Sequence, residues 1–226
     1  MEIFDRVIQE YSRKQEERVG EQIKESKTHD SSPISKLIKK TLNDGHKVYL
    51  GCDWHLWRFD KKTKLIHERS DMNSIINKYK STVTDDDLFI YMGDLIDGEC
   101  EPKKKQLGEI LDSLPGTKIL IRGNNDLFPD EWYEQHGFKY VTPKFIYDNI
   151  IFSHMPEKNH NNKMNIHAHI HSTKCYWVPY KDMIDVAWLN GRKEPVELHK
   201  IIEALPAYRK VAKEIPARFE QEFSVI

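Results

Sequence analysis

Val48-Tyr49-Leu50-Gly51-Cys52-Asp53-Trp54-His55 starts as a short apolar strand and ends on an Asp-x-His turn. The same transition recurs downstream. Leu88-Phe89-Ile90-Tyr91-Met92 runs into Gly93-Asp94, Lys118-Ile119-Leu120-Ile121 into Gly123-Asn124-Asn125-Asp126, and Asn149-Ile150-Ile151-Phe152 into Ser153-His154. Helical spacing follows over 71–81, 104–113 and 129–135, and another helix over 34–43 is stopped by Asn43-Asp44-Gly45. This strand-loop-helix alternation predicts an α/β fold with neighbouring parallel strands. In such sheets, sites form beyond the carboxyl ends of the strands. Asp53, Asp94, Asn124 and His154 each stand just past a separate strand, so they are expected to converge.

Ile166-His167-Ala168-His169-Ile170-His171 adds three histidines at every second position. In a strand, alternate side chains share one face. Neutral imidazole is the commonest metal ligand. Oxygen and imidazole donors together suit Mn, Fe, Zn, Co or Ni. The candidates outnumber the needs of one cation, which points to a two-metal site bridged by a carboxylate, with the ions on the order of 3.5–4 Å apart.

The totals narrow the class. With 226 residues, 38% hydrophobic and 31% charged, the chain fits one soluble domain with appendages. A net charge of -1 gives no field for bulk nucleic-acid binding, and the lysine runs at 39–40 and 103–105 read as solvated faces. The odd, widely spaced Cys52, Cys100 and Cys175 argue against a disulfide framework and for a reducing compartment. Residues 1–15 lack an apolar h-region, and no apolar run is long enough for a bilayer, so a cytoplasmic protein is expected.

Outside this frame, residues 2–28 read as one charged helix with Phe4, Val7, Ile8, Tyr11, Val19 and Ile23 near helical spacing. The expected division is an N-terminal helical segment over 1–30 and a main domain over 31–226. Strands are expected over 144–147 and 149–152, paired around Asp148-Asn149. Two more, over 176–180 and 184–188, are expected to form an antiparallel hairpin. A helix starts near Pro195, and a last one near 206–223 has Leu205 at its start and Tyr208, Val211, Ala212, Ile215 and Phe219 at helical spacing. The N- or C-terminal helix is the candidate surface for a homo-oligomer.

The order of motifs over about 48–171 resembles the calcineurin-like metallophosphoesterases, and the segment after it resembles the close of their small bacterial and phage members. The resemblance implies mixed β-sheets packed face to face and flanked by helices, with a binuclear metal site at the C-terminal strand ends. It implies that Asp53, His55 and His171 hold one cation, that Asp94 bridges, and that Asn124, His154 and His169 hold the second. Asp97 and Asp126 match residues that orient ligands and loops. The family form of the histidine stretch is usually Gly-His-x-His. Pairing His169 with His171 puts Ala168 at the glycine, one methyl group away. Pairing His167 with His169 puts β-branched Ile166 there, which fits less well.

Asn125 departs from the family, many of whose members carry histidine in this position. Asparagine donates a hydrogen bond but not a proton. Among the catalytic candidates Asp94, Asn124 and Asn125, no acid is therefore expected to assist an alkoxide leaving group. That favours phosphodiesters or nucleotide anhydrides over phosphomonoesters. Manganese is the expected metal. Arg58, His167 and His160 are substrate-binding candidates, whereas Trp54 and Trp57 are expected in the core or rim. The alternative from a different class is a non-catalytic protein-interaction scaffold of the same fold. The completeness of the ligand set favours the enzyme.

Overall fold

The computed structural model describes residues 32–157, 163–170, 183–186 and 194–204. In chain order its elements are α1 (Ser32–Asn43), β1 (Val48–Gly51), β2 (Trp57–Asp60), β3 (Leu65–Glu68), α2 (Met72–Thr82), β4 (Leu88–Tyr91), a 3-10 helix (Gly98–Lys103), α3 (Lys104–Asp112), β5 (Thr117–Ile121), α4 (Asp130–Gln135), β6 (Phe138–Thr142), β7 (Lys144–Tyr147), β8 (Ile150–Ser153), β9 (Met164–His167), β10 (Met183–Asp185) and β11 (Val196–Glu197). The helices expected over 34–43, 71–81, 104–113 and 129–135 and the strands beginning at Val48, Leu88, Lys118, Lys144 and Asn149 fall within a few residues of these bounds.

One sheet has the order β11-β1-β4-β5-β6, and the second β10-β9-β8-β7. β1, β4, β5 and β6 are parallel neighbours, while β11 is antiparallel to β1. β1 and β4 are buried along their whole length, which is why they read as unbroken apolar runs. Their period of two divides the core. Val48, Leu50, Leu88, Ile90, Ile119 and Ile121 face Phe145, Phe152, Ile166 and Ile184 of the second sheet, with Ile34 and Ile38 of α1. Tyr49, Phe89, Tyr91 and Leu120 face the opposite layer, where Ile75 and Tyr79 of α2, Leu107 and Leu111 of α3 and Tyr133 of α4 lie. The sheets thus pack face to face with helices flanking, as expected. Phe145 and Phe152 stack across β7 and β8 with ring centroids 4.7 Å apart. Truncating the fully buried Phe152 to alanine should cost about 3–5 kcal/mol. The β7–β8 turn is the expected one, with Asp148 and Asn149 both left-handed at φ 46 and 63.

Four details differ from the sequence reading. β2 and β3 form an antiparallel hairpin where no strand was expected. β6 extends the first sheet although no strand was expected there. β10 runs parallel to β9; the hairpin partner expected over 176–180 lies outside the described residues. β11 precedes the helical residues 198–204, so the chain pairs with the sheet edge before turning helical. The expected helices over 2–28 and 206–223 also lie outside the described residues. Among the described residues, no helix is long and apolar enough to cross a membrane.

Candidate metal centre

Strand ends deliver the side chains. Asp53 follows β1, Asp94 follows β4, Asn124 follows β5 and His154 follows β8. Two groups of ligand atoms form, each lying within 4.8 Å of one another: Asp53, His55 and Asp94, and Asp94, His154 and His169. Asp94 is common to both. His55 Nε2 is 3.9 Å from Asp53 Oδ1 and 3.6 Å from Asp94 Oδ2. His154 Nε2 is 3.1 Å from Asn124 Oδ1, 3.2 Å from His169 Nδ1 and 3.5 Å from Asp94 Oδ2. Metal–ligand bonds of about 2.0–2.2 Å separate neighbouring donor atoms by roughly 3–3.5 Å. The donor chemistry and spacing therefore fit a divalent cation in each group.

The ring orientations are set from behind. His154 Nδ1 donates to the Met92 carbonyl at 2.7 Å, which turns Nε2 toward the centre. His55 Nδ1 donates to Asp97 Oδ1 at 2.7 Å with the same result. An imidazole that donates one nitrogen presents the other as a ligand. Asp97 also accepts from Phe59 N at 3.1 Å, so it joins His55 to the β2–β3 hairpin. Asp126 is buried and accepts from Gly123 N, Asp94 N and Leu95 N, which ties the β4 and β5 loops together.

Asn125 turns inward. Its backbone N–H donates to Asp94 Oδ1 at 2.9 Å and its amide to Asp94 Oδ2 at 2.8 Å. It grips the shared carboxylate.

Charge reinforces this arrangement. Burial works to raise the Asp94 carboxyl, but His154 and His55 outweigh it and hold Asp94 well below the usual carboxylate range. Burial works to lower His154, but Asp94 and Asp53 raise it to about 9. Burial, with Asp94 nearby, pushes Asp126 up.

The backbone is unusual here. Asp53, His55, Asp94 and His169 have φ of 50, 41, 64 and 73. Left-handed backbone in non-glycine residues costs on the order of 1–3 kcal/mol each and persists where surroundings over-determine it. Glycines supply the close approaches. A Cβ on Gly93 would lie 2.5 Å from His154 Nδ1, and one on Gly123 would lie 2.1 Å from Asp94 Oδ1.

The histidine stretch departs from simple alternation. β9 stops at His167, and His169 sits at the centre of a γ-turn closed by Ile170 N and Ala168 O at 2.9 Å. The left-handed φ falls on His169 and not on Ala168. His167 is buried, donates Nδ1 to the Ala168 carbonyl and lies in neither ligand group. Burial lowers its pKa. His171 and His160 lie outside the described residues. Arg58 is exposed on β2, close enough to Asp97 to help hold that carboxyl down, although burial opposes and His55 does more. Trp54 and Trp57 are core residues, as expected.

Four supporting residues escaped the sequence reading. Tyr91 and Arg69 bond the backbone of the Asp53 turn. Arg122 holds the β5 loop by donating to the Asp126 and Phe128 carbonyls and to Asp130. Asn165, fully buried on β9, accepts from Glu157 N and donates to Ser153 Oγ, bracing the turn that carries His154. Tyr91 and Asn165 lie inside strands, where only a polar atom in an apolar run could have marked them.

With the fold and centre in view, the chain belongs to the calcineurin-like phosphoesterase family, whose model matches residues 43–219. Its class is a metal-dependent phosphoesterase. An uncharacterized protein of Methanocaldococcus jannaschii is 26% identical over 145 residues, 60% of this chain and 76% of that protein. A solved protein of unknown function from Aquifex aeolicus is similar in fold, with a TM-score of 0.50 at 19% identity, over 70% of this chain and 98% of its own. A Pseudomonas putida nuclease aligns with a TM-score of 0.39 at 14% identity, over 55% of this chain and 61% of its own.

Proposed function

We propose that this protein is a two-cation phosphodiesterase of the cytoplasm that hydrolyses phosphodiester or nucleotide anhydride bonds, with manganese as its working metal. The observation that carries the diester preference is Asn125. Its side chain is bonded to Asp94 and has no acidic proton to give. A substrate whose leaving group departs without protonation suits such a site.

Asp53, His55 and Asp94 would hold one cation, with His171 completing the set. Asp94, Asn124, His154 and His169 would hold the other. When bound there, divalent cations supply Lewis acidity that yields a hydroxide nucleophile near neutral pH and offsets phosphate charge. The chain's own residues position that chemistry. His55 and His154 keep Nε2 aimed inward through Asp97 and the Met92 carbonyl. Asn124 turns its carbonyl oxygen to His154 and leaves its NH2 group to donate to a phosphate oxygen. Arg58 adds an exposed guanidinium at the hairpin base for a second phosphate oxygen. Buried thiols at Cys52 and Cys100 suit a reducing compartment. A protein-interaction scaffold would not require so complete a donor set.

The test compares bis(p-nitrophenyl) phosphate with p-nitrophenyl phosphate, using metal-stripped protein reloaded with manganese. Diester turnover that requires metal and exceeds monoester turnover is expected. Faster monoester turnover would overturn the diester preference. No turnover of either would favour the scaffold.

A further inference from the structure

Three of the left-handed residues, Asp53, His55 and Asp94, lie on two adjacent loops, and the Asp53-Trp54 step is fully bonded. Asp53 N donates to the Gly93 carbonyl at 2.8 Å. Trp54 N donates to Tyr91 Oη at 2.9 Å. The Asp53 and Trp54 carbonyls both accept from Arg69 Nη1, at 3.4 and 2.8 Å. All four main-chain polar groups of the step thus have partners, three of them through the side chains of Tyr91 and Arg69, which hydrogen-bond no ligand side chain. Tyr91 is 1% exposed, and its hydroxyl also donates to the Asp94 carbonyl at 3.3 Å. Arg69 stands just after the β2–β3 hairpin and is itself held by a two-point contact with Asp71.

We propose that Tyr91 and Arg69 are positioning residues for one half of the centre: they fix the Asp53-Trp54 backbone and so set the reach of Asp53 and His55 toward Asp94. This rests on the two-cation reading above. The other half is held differently. His154 is oriented by Met92 and the Asn124 loop by Asp126 and Arg122, while the His169 turn is held by the bond from Ala168 N to the His154 carbonyl and meets the Asp53 half only through the bond from His169 N to Asp53 Oδ2 at 3.2 Å. Asp94 itself keeps its bonds from Asn125 and to Asp126 when Tyr91 loses its hydroxyl. Loss of either positioning residue should therefore weaken one cation site selectively.

The test titrates manganese chloride into the metal-stripped full chain by calorimetry, with free manganese read by electron paramagnetic resonance. Asp53→Asn and Asn124→Ala identify which binding event belongs to which half. Tyr91→Phe and Arg69→Lys should each weaken the Asp53-dependent event by about 10–100-fold and leave the Asn124-dependent event within roughly twofold. Arg69→Lys keeps the charge but loses the planar fork that spans two carbonyls and Asp71. Asp87→Asn, a destabilising change far from the centre, should lower the urea midpoint without altering either event. Equal weakening of both events, no weakening, or the same weakening in Asp87→Asn would overturn the proposal. Wild-type protein that takes up fewer than two cations would overturn the two-cation reading and this proposal with it.

Discussion

Strand β4 is flanked by two buried carboxylates, Asp87 before it and Asp94 beyond it. Asp87 accepts from Lys47 N at 2.8 Å, Thr84 N at 2.9 Å and the Thr84 hydroxyl at 2.8 Å. It joins the entry to β1 with the turn into β4, in ordinary backbone. Asp94 has left-handed backbone, accepts from Asn125 and faces His55 and His154. At one end the chain meets the needs of a carboxylate with its own N–H groups. At the other it gathers carboxylates and imidazoles onto one point, an arrangement that a cation relieves. Burial alone therefore does not mark a functional acid; the company it keeps does.

The contrast can be broken experimentally, and the largest effect is expected at Asp94. On the two-cation phosphodiesterase reading proposed above, Asp94→Asn should lower metal-dependent diester turnover on the order of 10³-fold or more, the loss expected when a carboxylate shared by both cations is removed. Steady-state kinetics at saturating manganese checks this. Asp97→Asn should cost less, about 10–100-fold in cation affinity, because it acts through His55. Calorimetric titration would show it. Asp87→Asn should reverse the pattern. It should lose about 1–3 kcal/mol of stability in urea unfolding, with turnover per folded molecule unchanged.

The smallest effect is in the acid limb of the stability curve. Burial works to raise the Asp87 carboxyl, but the N–H groups of Thr84 and Lys47 and the Thr84 hydroxyl hold it below its ordinary value. A depressed folded pKa means that its contribution is present above the unfolded value of about 3.9 and is lost as pH falls through the folded value. Wild-type stability should therefore decline more steeply below about pH 4 than that of Asp87→Asn. Urea midpoints between pH 3 and pH 6 measure the difference.

Much of the frame was legible because burial writes itself into composition. Strands buried on both faces must be apolar, so β1, β4 and β5 stood out, and the polar residues at their ends stood out against them. The β2–β3 hairpin was less legible. Trp57 and Phe59 alternate with Arg58 and Asp60, but exposed Leu65 and the lysine-rich turn blur the return strand. β6 was harder still: over only five residues its burial does not alternate, and its register with β5 shifts between Lys118 and Ile119. The histidine stretch misled in a different way. Its alternation is regular in the chain, yet the strand ends at His167, and His169 reaches its neighbours through a turn that no periodicity encodes. Tyr91 and Arg69 act on backbone atoms, and backbone contacts leave no trace in residue spacing.

The bond from His169 N to Asp53 Oδ2 links residues 116 apart in the chain. Closing so long a loop is entropically slow unless intervening structure has already formed. The two sheets have to pair and dock for these residues to meet, which predicts that the centre assembles late in refolding. Recovery of manganese affinity should then lag behind recovery of tryptophan fluorescence after dilution from urea. If that lag is measured, cation uptake would serve as a clock for the docking of the two sheets.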